Sequence, residues 1–156
     1  MKICSYQTQN DADGRLMLIK EAEHICESLK AIKKPEDIAH MMKGVYKLDK
    51  LAEEYGYVIG MNNTGTVIGV CEISHGTVDQ SVISLFDVFK RLLLLGTPRF
   101  LFVHNHPSGN PNPSAEDCEL TQRIRRNAGS LNMELLDHII IFKDGYTSFK
   151  ELGLIK

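Results

Sequence analysis

The chain has no tryptophan, and its four cysteines, Cys4, Cys26, Cys71 and Cys118, are scattered with no Cys-x-x-Cys pair among them. That spacing speaks against an all-cysteine zinc site and against a disulfide framework, and with no signal peptide ahead of them, reduced thiols in a cytoplasm are expected. Long apolar runs are missing too. The greasiest stretch, Val82 to Leu95, carries Asp87, Lys90 and Arg91, which makes it too short and too charged to span a bilayer, so no membrane association is expected. An excess of either charge is also absent. The formal net charge is -2, so no global basic field recommends nucleic acid as a partner. Arg123, Arg125 and Arg126 form a small cluster that reads as a solvated helix face. Internal repeats and low-complexity tracts are lacking. With 156 residues and 43% apolar composition, the chain can build one core of ordinary size.

The apolar pattern divides the chain into short elements. Ile3 to Gln7 suggests a short strand, and Arg15 to Lys30 reads as a docking helix, because Leu16, Leu18, Ile19, Ala22, Ile25, Cys26 and Leu29 recur at helical spacing. Pro35-Glu-Asp opens a second helix, with proline in the first turn and acids at the positive end of the dipole. Tyr57 to Met61 and Thr66 to Ile73 are β-rich and flank Asn62-Asn-Thr-Gly65, which predicts an antiparallel hairpin. Ser81 to Leu95 is expected as a helix that turns Val82, Leu85, Phe86, Phe89, Leu92 and Leu93 inward and stops at Gly96. Phe100 to Val103 has the unbroken apolar character of a central strand. Ser114 to Ala128 predicts another helix, Met133 to Phe142 a strand, and Asp144-Gly145 a hairpin turn into Tyr146 to Phe149. His24 and His40 fall in expected helices and are assigned no role.

One stretch carries chemistry. His104 and His106 stand one residue apart at a strand end, so their side chains point the same way. After a segment in which Pro107, Gly109, Pro111 and Pro113 forbid regular structure come Ser114 and Asp117. Two neutral imidazoles and a carboxylate suit Zn²⁺, and three protein ligands leave a fourth tetrahedral position open for catalysis. Ser114 is placed to donate to a developing oxyanion. A plainer reading is available for each residue: Ser114-Ala-Glu-Asp117 is a near capping box, and the histidines could simply close a strand. Capping and ligation are compatible.

The spacing His104-x-His106-x(7)-Ser114-x(2)-Asp117 resembles the JAMM motif of the JAB/MPN metalloproteases. His104 to Gly109, Pro113-Ser114, Leu136-Asp-His138 and Ser148-Phe149 are similar to its RadC branch, over about residues 35 to 155. The resemblance implies an α/β, cytidine-deaminase-like fold with a mixed central sheet flanked by helices. It implies His104, His106 and Asp117 as ligands of one zinc per chain, and Ser114 as the transition-state donor. The family also asks for an upstream glutamate, a place that Glu54 occupies, with Glu53 and Glu72 as the competing choices. Residues 1–34 are then an N-terminal strand/helix extension, ahead of a RadC-like JAB/MPN domain over 35–156. Where RadC relatives have Pro-Arg-Glu, this chain has Leu85-Phe-Asp87, which removes an arginine but no ligand. Asp137-His138 either supports the site from behind or forms a buried pair without a catalytic part.

The function so implied is zinc-dependent hydrolysis of an amide, peptide or isopeptide bond in a peptide or protein substrate. Two alternatives are a DNA-repair-associated protein without protease activity and a metal-binding MPN scaffold. Duplex binding has little support in a mildly acidic chain. An HNH nuclease spreads its three residues along a ββα unit, and a nucleoside deaminase needs a Pro-Cys-x-x-Cys half that is missing.

Overall fold

The computed structural model describes residues 1–76 and 83–155. Seven strands make one mixed sheet: β1 (Lys2–Asn10), β2 (Leu16–Ile25), β3 (Glu54–Met61), β4 (Val67–Gly76), β5 (Arg99–Asn105), β6 (Glu134–Phe142) and β7 (Gly145–Ser148), in the spatial order β2-β1-β4-β3-β5-β6-β7. Three helices flank it: α1 (Pro35–Tyr46), α2 (Leu85–Leu95) and α3 (Ala115–Ser130). β3 is antiparallel to both β4 and β5, so β4 and β5 run parallel and α2 is their crossover. β5 and β6 are parallel as well, joined through α3. This is the α/β architecture expected.

The sheet sends alternate side chains to two cores. Along β5, Leu101 and Val103 pack on the α1 side with Ile38, Met41 and Met42, while Phe100 and Phe102 pack on the other side with Val88, Phe89 and Leu92 of α2 and Ile124 of α3. β6 repeats the division, with Ile139 and Ile141 facing α1 and Ile140 facing α3. Both faces of the central strands are therefore covered, which is why their sequences read as unbroken apolar runs. Each buried Phe or Ile contributes roughly 1.5–3 kcal/mol by leaving water.

Two expectations are corrected. Residues 15–30 are not a docking helix; Leu16–Ile25 form β2, which pairs antiparallel with β1 from Lys2↔Ile25 to Asn10↔Leu16. The pairing skips Glu21, since Ser5 faces Ala22 and Tyr6 faces Lys20. That bulge shifts the alternation in mid-strand and leaves an apolar spacing that imitates a helix. The turn before β2 is set by Asp11, whose Oδ1 accepts from the amides of Asp13 and Arg15 at 2.9 and 2.8 Å. Within α2, Phe86 and Leu93 do not face inward but are 73% and 58% exposed, and the buried stripe is Val88, Phe89 and Leu92. Apolar residues stand on several sides of this helix, so its sequence does not single out the buried one. The helix is capped by Ser84, and Gly96 closes it at φ 66°; the expected start at Ser81 and the placement of Val82 lie outside the described residues.

Candidate metal centre

The strand β5 ends at Asn105, and α3 begins at Ala115 close to that end. In parallel α/β units the crevice beyond the carboxyl ends of the strands is where ligands bind. His104 lies opposite Gly56 of β3, on the same face as Phe102 and therefore toward α3. His106 follows two residues later and is anchored by its amide, which donates to the Ile141 carbonyl at 2.8 Å.

The loop between His106 and α3 is held by short-range bonds rather than by secondary structure. His106 Nδ1 bonds the Asn110 carbonyl at 2.8 Å, and Thr147 of β7 donates to the Pro111 carbonyl at 2.6 Å. Gly109 takes φ +77°, a left-handed conformation that glycine adopts without a Cβ penalty. Ser114 then caps α3: its Oγ accepts from the Asp117 amide at 3.0 Å, and its own amide donates to Asp117 Oδ2 at 2.8 Å. The expected capping box is present, and it orients the carboxylate expected as a ligand.

Asp117 Oδ1 lies 3.1 Å from His104 Nε2, Asp117 Oδ2 lies 3.3 Å from His106 Nε2, and the two imidazole Nε2 atoms are 3.1 Å apart. His104, His106 and Asp117 form a group whose ligand atoms all lie within 4.8 Å of one another. The surrounding bonds fix the tautomers. Thr121 spends its hydroxyl proton on the Asp117 carbonyl at 2.6 Å, so its oxygen accepts from His138 Nδ1 at 2.6 Å. Burial holds the His138 pKa well below the usual histidine value, so this ring is neutral and carries only that proton. Its bare Nε2 therefore accepts from His104 Nδ1 at 2.8 Å. His104 Nε2 and, by the Asn110 bond, His106 Nε2 are left with lone pairs aimed at each other and at a carboxylate.

Such a convergence of lone pairs is favourable only around a cation. Ligand atoms about 2.0–2.1 Å from a tetrahedral zinc stand about 3.3 Å apart, close to the separations here, so the residues fit the ion they were expected to hold. Without metal a proton plays the part. Burial disfavours the His106 imidazolium, but the Asp117 carboxylate and the Asn110 carbonyl outweigh it and raise its pKa. Burial likewise opposes the Asp117 charge, and the bonds from His104 and His106 overcome it to hold the carboxyl below the usual range.

A cleft of about 560 Å³ opens over this cluster, lined among others by Glu54, Gly56, Ser114 and Arg123. Glu54 shares a strand face with Gly56, so it points to the same side of the sheet as His104. Its charge is near enough to favour the His106 imidazolium. Glu53 and Glu72 point away. Glu53 is hydrogen-bonded to His75, and Glu72 accepts from the Tyr57 hydroxyl at 3.3 Å on the α1 side. Ser114 lines the cleft with its own hydroxyl proton still available to donate. Two further contributors were less visible. His138 touches His104 directly, whereas Asp137 turns away, accepting from Ser148 and from the amides of His138 and Lys150. Thr121 gave no signal beyond a polar residue at i+4 from Asp117. The cysteines, by contrast, are all free.

Among the described residues no helix is long and apolar enough to cross a membrane. The RadC-like JAB domain family matches residues 32–154. A UPF0758 protein of Clostridium botulinum is 38% identical over 124 residues, covering 80% of this chain and 53% of that protein. A UPF0758 protein of Bacillus licheniformis is 37% identical over 130 residues, covering 83% and 57%. One from Clostridium acetobutylicum is 36% identical over 142 residues, covering 91% and 61%. The chain thus spans about half the length of the curated relatives it matches. With the paired histidines, the acid at the helix start and the mixed sheet behind them all accounted for, residues 32–154 place this chain in the RadC family, as a RadC-like JAB domain.

Proposed function

We propose that the chain is a zinc-dependent hydrolase of an amide bond, in a peptide or an isopeptide linkage. The observation that carries this reading is the meeting of two histidine lone pairs and a carboxylate in a cleft that also presents Glu54 and Ser114. His104, His106 and Asp117 would hold one zinc ion. When bound there, zinc supplies Lewis acidity, polarising a carbonyl and acidifying water toward a pKa of ~7.

The remaining roles belong to side chains of the cleft. Glu54 takes a proton from the attacking water as its oxygen bonds to the carbonyl carbon, and returns it to the amine nitrogen as the C–N bond breaks. Ser114 donates a hydrogen bond to the oxygen on which negative charge develops. Asp117, oriented by the Ser114 amide, and His104, oriented by His138, keep their ligand atoms aimed at one point. The substrate is a peptide or protein. Four free cysteines fit a reducing, cytoplasmic setting.

The test is hydrolysis of model peptides and of a Lys ε-amide-linked peptide, followed by mass spectrometry, for the parent chain and Glu54→Gln. Glu54→Gln should keep its zinc and lose hydrolysis by about 10²–10⁴-fold. Equal turnover by the two proteins would remove Glu54 from the reaction.

A further inference from the structure

Asn105 stands between the two histidines in sequence, and its side chain leaves β5 on the opposite face from theirs. It is 1% exposed. Its Oδ1 accepts from the Tyr55 amide at 2.7 Å, and its Nδ2 donates to the Glu53 carbonyl at 2.9 Å. A backbone carbonyl can only accept and a backbone amide can only donate, so this orientation of the amide is the one that satisfies both. The two backbone groups flank Glu54.

The pattern imitates a strand neighbour. β3 and β5 pair through their backbones from Met61↔Arg99 to Gly56↔His104. At the next residue β5 remains paired with β6, at Asn105↔Ile141, and the side-chain amide of Asn105 supplies the N–H and C=O that the start of β3 needs. Side chains alternate along a strand, so the register held here decides which residue enters the cleft. As held, Glu54 faces the histidine side, while Glu53 is bonded to His75 and Tyr55 stacks on the His75 ring at 4.2 Å. A slip of one residue would exchange them.

We propose that Asn105 is a positioning residue that fixes the start of β3 and so presents Glu54 to the His104–His106 pair. This rests on the proton-transfer role proposed for Glu54 and assigns the residue that makes it available. Asn105 touches neither the ligand atoms nor the cleft, so its loss acts through Glu54 and spares the three ligands. Both bonds are part-buried, and an unpartnered carbonyl and amide at the head of a strand leave its β5 side free to fray.

Two measurements on the full chain test this. In the first, hydrogen exchange at the Tyr55 amide is followed in metal-free protein. It should quicken at least about tenfold in Asn105→Ala, and stay protected in Asn105→Asp, which keeps an acceptor for that amide. In the second, the protein is loaded with Co²⁺ and its visible spectrum is titrated with pH. Asn105→Ala should bind one Co²⁺ per chain and shift the midpoint in the same direction as Glu54→Gln. Wild-type exchange at Tyr55, or a wild-type midpoint beside a shifted Glu54→Gln, overturns the proposal. Loss of Co²⁺ binding as complete as in His104→Ala overturns it too, by making Asn105 a support of the ligands. If Glu54→Gln itself leaves the midpoint unmoved, the role of Glu54 fails, and the exchange rate alone still decides whether Asn105 holds β3. Should Asn105→Ala not fold, Asn105→Ser, whose side chain is too short to hold both backbone groups, is read in the same two ways, and wild-type exchange at Tyr55 in it overturns the proposal.

Discussion

His138 Nε2 lies 2.8 Å from His104 Nδ1, and the His138 ring is fully buried, stacked on Phe149 at 4.3 Å and edge-on to Phe102 at 4.8 Å. The contact turns a strand-end histidine into one with a defined tautomer, because His138 is itself locked by Thr121.

Thr121→Val keeps the volume of the side chain and removes the oxygen that accepts from His138 Nδ1. The His138 proton then has no reason to stay on Nδ1, and His104 loses the acceptor that keeps its Nε2 bare. Metal affinity should fall by about 10–100-fold, the range for lost partners of ligating histidines. Competition with a chromophoric chelator measures it, and an unchanged affinity would show that the Thr121–His138–His104 chain does not orient the ligand.

The metal-free protein should depend on pH in a defined direction. The folded pKa of His106 is raised, so its contribution is fully present below the unfolded value of ~6.5 and is lost as pH rises through the folded value. The folded pKa of Asp117 is lowered, so its contribution is present above the unfolded value of ~3.9 and is lost only as pH falls through the folded one. Buried His138, whose folded pKa is depressed, works in the opposite sense over the same range, so the His106 contribution is read against His106→Asn. The metal-free parent chain should be stabilised relative to that variant more at pH 6 than at pH 8, and added zinc should stabilise the parent chain most at pH 8, where protons no longer compete for Nε2. Thermal melts of the two proteins with and without chelator read both trends; a parent-minus-variant difference larger at pH 8 in metal-free protein would contradict the proton as the metal's substitute.

Capping and catalysis at Ser114 can be separated by substitution. Ser114→Ala loses the acceptor for the Asp117 amide and should cost about 0.5–2 kcal/mol of stability. Ser114→Asn retains a capping oxygen and removes the hydroxyl. Denaturant melts should place Ser114→Asn near the parent chain, while peptide hydrolysis falls by about 10²–10³-fold in both variants. Full hydrolysis by Ser114→Asn would leave Ser114 as a cap alone.

Glu53 and Glu72 provide the control for Glu54. Both are bonded on the far side of the sheet from the ligands, so Glu53→Gln and Glu72→Gln should hydrolyse peptides within about twofold of the parent chain, as surface changes generally do. A loss in either comparable to that of Glu54→Gln would reassign the proton-transfer residue.

The central strands and the ligand cluster were legible because each obeys a local rule. Phe100 to Val103 is buried on both faces and reads so; His104 and His106 share a face by the period of a strand; Asp117 is placed by the cap that Ser114 begins. β2 was misread because two features combine there: the bulge at Glu21 breaks the alternation, and an edge strand half exposed to water has little apolar pattern to lose. Which acid faces the ligands could not be read from spacing, since Glu53 and Glu54 differ only in the phase of β3. That phase is carried by the pairing of Glu54, Tyr55 and Gly56 with β4 and by the side chain of Asn105, fifty residues further along the chain.

The most direct measurement is zinc content by atomic spectroscopy on protein purified without chelator, for the parent chain, His104→Ala and Asp117→Ala. One zinc per chain in the parent, with none retained stoichiometrically by either variant, is the expected result. Full zinc in His104→Ala, or no zinc in the parent chain after growth with zinc supplied, would contradict a metal centre at His104, His106 and Asp117.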